Sequence, residues 1–323
     1  MKYFLAIIAL IMTLTVSAQD ATVKDMKTQT EKSMVKDETD TIPRKWKTGG
    51  LISININQSA LSNWSAGGEN FSFSLNSAVN LFAFYKKDKY SWDNSLDLAY
   101  GVVNTTSLGN RKSSDLIYLS TKYGYELNKN LNLSVLSNVR SQFGNGYVYS
   151  KNTAGLDSAT QTSKSLQPTY LILSLGLDYK ATDYLSFFVS PVSGRWVIVP
   201  DNLIASFYGV PNGKNSLQEF GAFASANLQK KFGDNMVLKS KLELFSNYLN
   251  KPQNIDIYWS TVFVAKISKV INFNINLDII YDNDTKNVDP SKGPAPQILQ
   301  LMGLGFAYTF NNKPKSPPAA AVK

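Results

Sequence analysis

Alternation of apolar and polar residues runs through most of this chain, and it restricts the fold more than any other feature of the sequence. Residues 51–57 read Leu-Ile-Ser-Ile-Asn-Ile-Asn, and residues 271–278 read Ile-Asn-Phe-Asn-Ile-Asn-Leu-Asp. A period of two places successive side chains on opposite faces of a β-strand, so each run has one apolar and one polar face. The sequence therefore predicts an all-β protein.

The connections between these runs alternate in length. Twelve runs follow one another from residue 50 to residue 310. Short turns such as Lys86-Lys87-Asp88-Lys89 follow the even-numbered runs, whereas the long connections at 104–113, 144–167, 199–217 and 283–296 follow odd-numbered runs. Bacterial outer-membrane barrels have this rhythm, with short periplasmic turns and long extracellular loops. We expect a single antiparallel transmembrane β-barrel of about 12 strands.

A soluble β-sandwich is the alternative, because it also buries one face of each strand and exposes the other. Three features favour the barrel. Most runs are longer than sandwich strands, aromatic residues such as Tyr85, Trp92 and Tyr179 stand near the ends of runs, and the chain begins with an export signal.

The chain is expected to divide into four segments. Residues 1–18 combine Lys2, an apolar run and the small-residue end Val16-Ser17-Ala18, which is typical of a cleaved signal peptide. Residues 19–47 are polar and predict a flexible periplasmic extension, residues 48–310 the barrel, and residues 311–323, rich in proline, alanine and lysine, a disordered periplasmic tail. These features predict a protein of the bacterial outer membrane.

Composition excludes many kinds of catalytic and metal site. The chain contains no cysteine and no histidine. Disulfides, Ser-His-Asp and Cys-His catalysis, and the usual Cys/His zinc sites are therefore excluded. We predict a protein that is not an enzyme and has no catalytic residues, metal or cofactor.

The net charge of +9 is not accompanied by a nucleic-acid-binding motif. No nucleic-acid partner is therefore expected. The expected partners are outer-membrane lipid and, for an assembly role, other outer-membrane or periplasmic proteins.

Strict alternation also predicts which polar side chains face the lumen. They are Asp93, Asp97, Lys122, Arg140, Gln142, Asp178, Glu219 and Asp278. This mixture of acids and bases suits either an ion-pair network that plugs the barrel or a narrow channel lined by charges. The sequence leaves both structures open.

The connection after the first run carries the densest motif of the chain, Asn63-Trp64-Ser65-Ala66-Gly67-Gly68. A large amphipathic ring stands there beside glycines, which readily take left-handed backbone angles. We expect Asn63, Trp64, Ser65, Gly67 and Gly68 to form a loop that binds a ligand or partner. The alternative is that Trp64 only anchors the loop at the membrane interface.

Several short motifs, taken in order from about Trp46 to Phe310, resemble domain-of-unknown-function family 3078 of Bacteroidota. Besides the first-loop motif, they are Trp92-Asp93-Asn94, Tyr123-Gly124-Tyr125, Arg140 with Gln142-Phe143, Gly146-Tyr147, Pro168 with Tyr170-Leu171, Ser190-Pro191, Ser246-Asn247-Tyr248, Tyr281-Asp282 and the final Gly303-Leu304-Gly305. The resemblance implies an outer-membrane β-barrel of unassigned activity.

Two functions remain open from the sequence. The leading hypothesis is a structural or interaction component of an outer-membrane assembly for export or envelope maintenance. The alternative is a narrow channel or transporter for small polar solutes, for which the predicted lumen charges would line the path.

Overall fold

The computed structural model describes residues 45–60, 71–107, 109–151, 157–233, 235–268, 271–281 and 296–312. The strands are β1 (Trp46–Ala60), β2 (Phe71–Lys87), β3 (Tyr90–Thr105), β4 (Gly109–Asn128), β5 (Leu131–Ser141), β6 (Gly146–Lys151), β7 (Asp157–Ser163), β8 (Thr169–Thr182), β9 (Leu185–Ile198), β10 (Ser216–Phe232), β11 (Met236–Asn247), β12 (Ile255–Lys266), β13 (Ile271–Tyr281) and β14 (Gln297–Asn311). A short helix, α1 (Asn202–Ala205), continues into a 3-10 turn at Ser206–Tyr208. Within these ranges, no helix is both long and apolar enough to cross a membrane.

Twelve of the strands close into one antiparallel barrel in the ring order β1-β14-β13-β12-β11-β10-β9-β8-β5-β4-β3-β2. The ring closes where β1 pairs with β14, with Ile54 opposite Phe306. Closure leaves no unpaired sheet edge. The predicted fold, an antiparallel barrel of about twelve strands, is confirmed.

The two faces of the barrel follow the alternation in the sequence. On β5, Leu133 and Val135 are 43% and 42% exposed on the outside, whereas Asn132, Ser134 and Asn138 are buried inside at 7%, 2% and 4%. The outer surface is therefore apolar and much of the inner surface is polar.

The barrel has two different ends. One end, the turn rim, carries the short connections after β2, β4, β8, β10 and β12, together with Lys45 and Asn312. The opposite end, the loop rim, carries the connections after β1, β3, β5, β9, β11 and β13. Because the strand number is even, the chain enters and leaves the barrel at the turn rim.

Some boundaries differ from those expected. The predicted connection at 104–113 shrinks to residues 106–108, because β3 and β4 remain paired as far as Thr105 and Gly109. The Asn104 amide supports this extension by donating to Asn110 Oδ1 at 2.7 Å. β1 begins at Trp46 and β14 ends at Asn311, close to the expected limits of 48 and 310.

The connection between β5 and β8 contains structure that the sequence did not predict. Within it, β6 and β7 pair as a separate two-stranded sheet. The connection between β9 and β10 holds α1, whose Ile204 and Ala205 pack with Val197, Val199 and Val210. Both connections are therefore folded parts of the loop rim.

A β-bulge reverses the alternation in the middle of β9. The register shifts where Ser190-Pro191-Val192-Ser193 faces β8 and β10. Ser190 Oγ donates at 2.7 Å to Leu175 O and is also 2.8 Å from Val192 O, and Ser193 Oγ donates to Ser174 Oγ at 2.7 Å. These contacts satisfy the polar groups that the bulge removes from the ladder. Beyond the bulge, odd-numbered residues of β9 point inward.

Candidate functional site

A cavity of about 1000 Å³ occupies the turn-rim half of the lumen, and we call it the vestibule. Residues of the turns and strand ends surround its mouth, among them Lys47, Lys86, Lys129 and Lys180. Asp93, Asp97 and Lys122 line its wall, and Tyr118, Leu136, Phe188 and Lys241 lie at its inner end. The vestibule is therefore polar and charged along its wall and partly aromatic at its inner end.

A side-chain bridge crosses the lumen at the inner end of the vestibule. Lys241 Nζ of β11 donates to the hydroxyl of Tyr118 of β4 at 3.0 Å and lies 5.1 Å from the centre of that ring. The same ammonium is 2.7 Å from Glu243 Oε1. Since β11 and β4 are five steps apart on a ring of twelve (β11-β10-β9-β8-β5-β4), the bridge spans nearly opposite walls.

A second bridge lies beside the first, because Arg140 of β5 pairs in register with Tyr118 of β4. Arg140 is the next inward residue of β5 after Asn138, which lines the vestibule. Its guanidinium carbon lies 4.8 Å from the centre of the Tyr170 ring and 5.6 Å from that of Tyr258. Because β5 and β12 are also five steps apart on the ring, Arg140 and Tyr258 meet across the lumen. We call these two bridges the crossbars.

Apolar side chains fill one side of the lumen beside the crossbars. Leu136, Phe188, Phe223 and Phe245 are 7%, 2%, 2% and 4% exposed and form one cluster, against which Ile172 packs. The four cluster residues come from β5, β9, β10 and β11, and Ile172 comes from β8. The cluster therefore covers five consecutive strands of the ring. The lumen is therefore not lined by polar groups alone, because a barrel of this width buries part of its inner surface within a packed core.

A third charged group lies nearer the loop rim. Arg195 Nη2 donates to Glu219 Oε1 at 2.8 Å, Arg195 Nε also bonds that carboxylate, and Arg195 Nη1 lies 2.7 Å from Asp256 Oδ2. The guanidinium also stacks over Phe245 at 4.2 Å, and Asn247 donates to Glu219 Oε1 at 3.1 Å. Arg195 therefore has two carboxylate partners inside the barrel.

Sequence reasoning missed Arg195, because strict alternation places it on the outside. The β9 bulge turns it inward. The signal for this reversal was Pro191 within a strand, since proline has no N–H for the ladder and is confined to edges and bulges in sheets.

The residues predicted to face the lumen lie at different depths. Asp93, Asp97 and Lys122 line the vestibule. Asp97 Oδ1 accepts from Asn80 at 2.6 Å, and Lys122 Nζ lies 2.9 Å from Asp178 Oδ2. Arg140 belongs to a crossbar, and Glu219 belongs to the group around Arg195.

Three other predictions have different outcomes. Gln142 does not line the vestibule but is fully buried, and its amide holds loop backbone. Asp278 lies in β13, but its side chain falls outside the described residues. The first-loop residues Asn63, Trp64, Ser65, Gly67 and Gly68 also lie outside the described residues.

Gln142 is a central contact of the folded connection at the loop rim. Its Nε2 donates to the carbonyls of Gly144, Lys164 and Gln167 at 3.0, 2.9 and 3.2 Å. The backbone carbonyl of Gln142 accepts from Leu166 N at 3.0 Å. The amide thus ties together the two ends of the connection that contains β6 and β7.

A buried ion pair fixes the start of the same connection. Asp115 is 0% exposed, and its carboxylate accepts from Phe143 N at 2.7 Å and Gly144 N at 2.8 Å. Lys112 Nζ lies 2.8 Å from Asp115 Oδ2 and 3.0 Å from Gly144 O. Backbone donors and a cation therefore compensate for the burial of this carboxylate.

Polar contacts join the two folded connections of the loop rim. Lys164 pairs with Asp201, whose side chain caps α1 by accepting from Leu203 N at 2.8 Å. The hydrogen bond from Lys164, followed by that from Leu203 N, holds the pKa of the Asp201 carboxyl below its ordinary value. Burial raises the pKa of the Tyr208 hydroxyl well above its ordinary value, and the charge of Tyr170 adds to this effect. Tyr208 therefore stays protonated and donates to Thr162 O at 2.8 Å.

In the part of the chain that the structure describes, no group of three or more carboxylate side chains is arranged to hold a metal ion. The charged groups of the lumen are distributed along the axis, with the crossbars between the vestibule and the loop rim.

Three solved structures are similar to this chain. The translocator domain of the autotransporter NalP from Neisseria meningitidis has 10% sequence identity and a TM-score of 0.38, covering 84% of this chain and 91% of that chain. An outer-membrane channel from Pseudomonas putida F1 has 10% identity and a TM-score of 0.39. The match covers 86% of this chain and 100% of the channel. The NanC porin has 11% identity and a TM-score of 0.39, covering 79% and 98%.

Comparison with curated proteins found no match. The model of the family described as "Protein of unknown function (DUF3078)" matches residues 56–147, from the later part of β1 to the start of β6, and confirms the family resemblance over that part of the chain.

Proposed function

We propose that this chain is a barrel of the bacterial outer membrane that provides a narrow, gated passage for small polar solutes. The outer face supports the membrane location. Its strands present exposed aliphatic side chains, and a sheet that is closed leaves no unpaired backbone edge toward lipid.

Aromatic groups on the outside near the turn rim also support a membrane location. Trp46 lies 5.0 Å from Tyr85 and 6.0 Å from Trp92 between ring centres, and Tyr90 lies 5.3 Å from Tyr125. Aromatic girdles of this kind mark the level of the lipid headgroups in outer-membrane barrels.

The observation that carries the proposed passage is the vestibule, which reaches from the turn rim to the crossbars. The crossbars form a barrier that consists of side chains and contains no backbone. A hydrogen bond to a charged group contributes about 1.5–3 kcal/mol and a cation–π contact about 0.5–2 kcal/mol. Displacing a crossbar therefore costs a few kcal/mol, far less than opening the barrel. We infer that the crossbars act as a gate.

Planar-bilayer conductance of the purified protein tests this proposal. Wild type should pass only a small or intermittent current, and Lys241→Ala should raise it because the bridge to Tyr118 is lost. Lys230→Ala is the matched control, since Lys230 also lies over a tyrosine ring, at 4.7 Å from the centre of Tyr184, but does not line the vestibule.

Heat-dependent migration in SDS gels should first establish that each variant retains a closed barrel. If neither wild type nor folded Lys241→Ala conducts, the passage is wrong. If Lys230→Ala raises the current as much as Lys241→Ala, the gating role of the crossbar is wrong.

A structural or interaction role in an outer-membrane assembly is the second candidate. The crossbars and the apolar cluster around Phe188 favour it, because together they obstruct part of the bore. A stoichiometric partner should then accompany the intact protein when it is purified from its native membrane in mild detergent. Recovery of the barrel alone would contradict this role.

A further inference from the structure

We propose that the passage is selective for anions and that Arg140 binds the carboxylate group of small organic acids at the crossbars. This inference rests on the proposed passage and adds its substrate class. It is carried by the surroundings of Arg140 and by the lysines at the mouth of the vestibule that pair with no described carboxylate.

Arg140 differs from three cations deep inside the barrel. Arg195 has two carboxylate partners, Lys122 has Asp178, and Lys241 has Glu243. Among the described side chains, Arg140 has no carboxylate within ion-pair distance, and its guanidinium contacts the rings of Tyr170 and Tyr258. Its positive charge is therefore one that an incoming anion can neutralise.

The position of Arg140 makes it accessible from the vestibule. Asn138 lines the vestibule, and Arg140 is the next inward residue of the same strand. Arg140 is half-buried and does not belong to the apolar cluster. Because Arg140 also pairs in register with Tyr118, a solute that displaces Lys241 from Tyr118 reaches Arg140.

The mouth of the vestibule carries an excess of positive charge. Six lysines line the vestibule (Lys47, Lys86, Lys122, Lys129, Lys180 and Lys241), against four acids (Asp93, Asp97, Asp183 and Glu243), and two of the lysines are neutralised by further acids, Lys86 by Glu126 and Lys122 by Asp178. Lys129 and Lys180 stand at the mouth, and no described carboxylate pairs with either of them. Clefts lined by one sign of charge concentrate ions of the opposite sign.

The chemistry of the Arg140 site favours carboxylates. Guanidinium groups present a planar fork of N–H donors that matches the two oxygens of a carboxylate. The rings of Tyr170 and Tyr258 hold the guanidinium in place through cation–π attraction. A lysine in this position would keep the charge but lose the fork.

Reversal potentials in a potassium chloride gradient test the anion preference. Wild type and Lys241→Ala should both favour chloride over potassium. When Arg140→Gln is introduced into wild type or into Lys241→Ala, the reversal potential should move toward the equilibrium potential of potassium. Arg140→Lys should keep the preference for chloride. Lys87→Glu is the control, because Lys87 is exposed at the turn rim but does not line the vestibule.

The possible outcomes separate this inference from the passage itself. Absence of current in every folded variant overturns the passage. Current that favours potassium in wild type, or that keeps its selectivity in Arg140→Gln, leaves the passage standing and overturns the anion preference.

Calorimetric titration of the detergent-solubilised protein with succinate tests the site without current. We expect saturable binding that Arg140→Gln abolishes, that Arg140→Lys weakens at least about tenfold, the equivalent of one lost charged hydrogen bond, and that Lys87→Glu leaves unchanged. Absence of binding to wild type, or equal binding to Arg140→Gln, overturns the carboxylate site.

Discussion

Gln142 shows how one buried amide organises the loop rim. Replacing it with alanine leaves the carbonyls of Gly144, Lys164 and Gln167 without this donor. Each buried acceptor that loses its partner costs about 1–3 kcal/mol. We expect Gln142→Ala to loosen residues 142–168 while the barrel stays closed, measured as faster proteolysis in this segment with unchanged heat-dependent migration.

Gln161→Ala is the matched control for this prediction. Gln161 belongs to the same connection, but its amide makes one long hydrogen bond, to Ser163 O at 3.4 Å. Equal proteolysis of the two variants would show that Gln142 has no special role.

Asp201 gives the loop rim a defined pH dependence. Its carboxyl pKa is held below the ordinary value by Lys164 and by the N–H of Leu203. The stabilisation from the charged form is therefore complete above the ordinary carboxyl pKa and is lost as the pH falls through the lowered value. We expect deuterium uptake of residues 199–215, corrected for intrinsic exchange, to rise only when the pH falls below the ordinary pKa of a carboxyl group.

Asp201→Asn separates charge from capping, because asparagine is also a good N-cap residue. This variant should take up deuterium faster than wild type at neutral pH and lose the rise on acidification. The same acid-dependent rise in Asp201→Asn would assign the pH dependence to another group.

Among the strand pairs, the seam between β1 and β14 determines whether the sheet closes. Gly305 of β14 faces Asn55 of β1, and a methyl group at Gly305 would lie 1.8 Å from Asn55 Oδ1 and 3.1 Å from Ile54 O. Asn55 Oδ1 also accepts from Asn274 Nδ2 at 2.9 Å. We expect Gly305→Ala to displace Asn55, to cost about 1–3 kcal/mol, and to lower the temperature at which the folded band disappears in SDS gels.

Gly124→Ala is the control for the seam. Its added methyl group would meet the hydroxyls of Ser91 and Ser134 at 2.9 and 3.0 Å, between strands remote from the seam. A fall in the transition temperature as large as that of Gly305→Ala would mean that the seam is not specially sensitive.

For the whole molecule, strand parity predicts the side of the membrane on which each end lies. Lys45 and Asn312 both stand at the turn rim, and the strands β6 and β7, which flank residues 152–156, belong to the loop rim. In the proposed outer-membrane setting, an epitope inserted at 152–156 should be labelled on intact cells. An epitope after residue 323 should be labelled only after the outer membrane is permeabilised. Labelling of both epitopes on intact cells would contradict this orientation.

The sequence determined the barrel because alternation is a local property. The run at 51–57 and its partners specify which side chains share a face, and short turns specify which strands are neighbours, so the twelve strands and their apolar outer face were predictable. The same parity assigned Asp97, Lys122 and Arg140 to the lumen; Asp97 and Lys122 line the vestibule, and Arg140 belongs to a crossbar.

Only the tertiary structure decided what the lumen contains. The crossbars join residues as far apart in sequence as Tyr118 and Lys241, and no local pattern records such a pairing. A single bulge at Ser190–Ser193 reverses the parity that places Arg195, and the ring closure determines which walls face each other. Alternation assigns a side chain to the inside, but its partner there depends on register and ring position, which are set by the whole closed sheet.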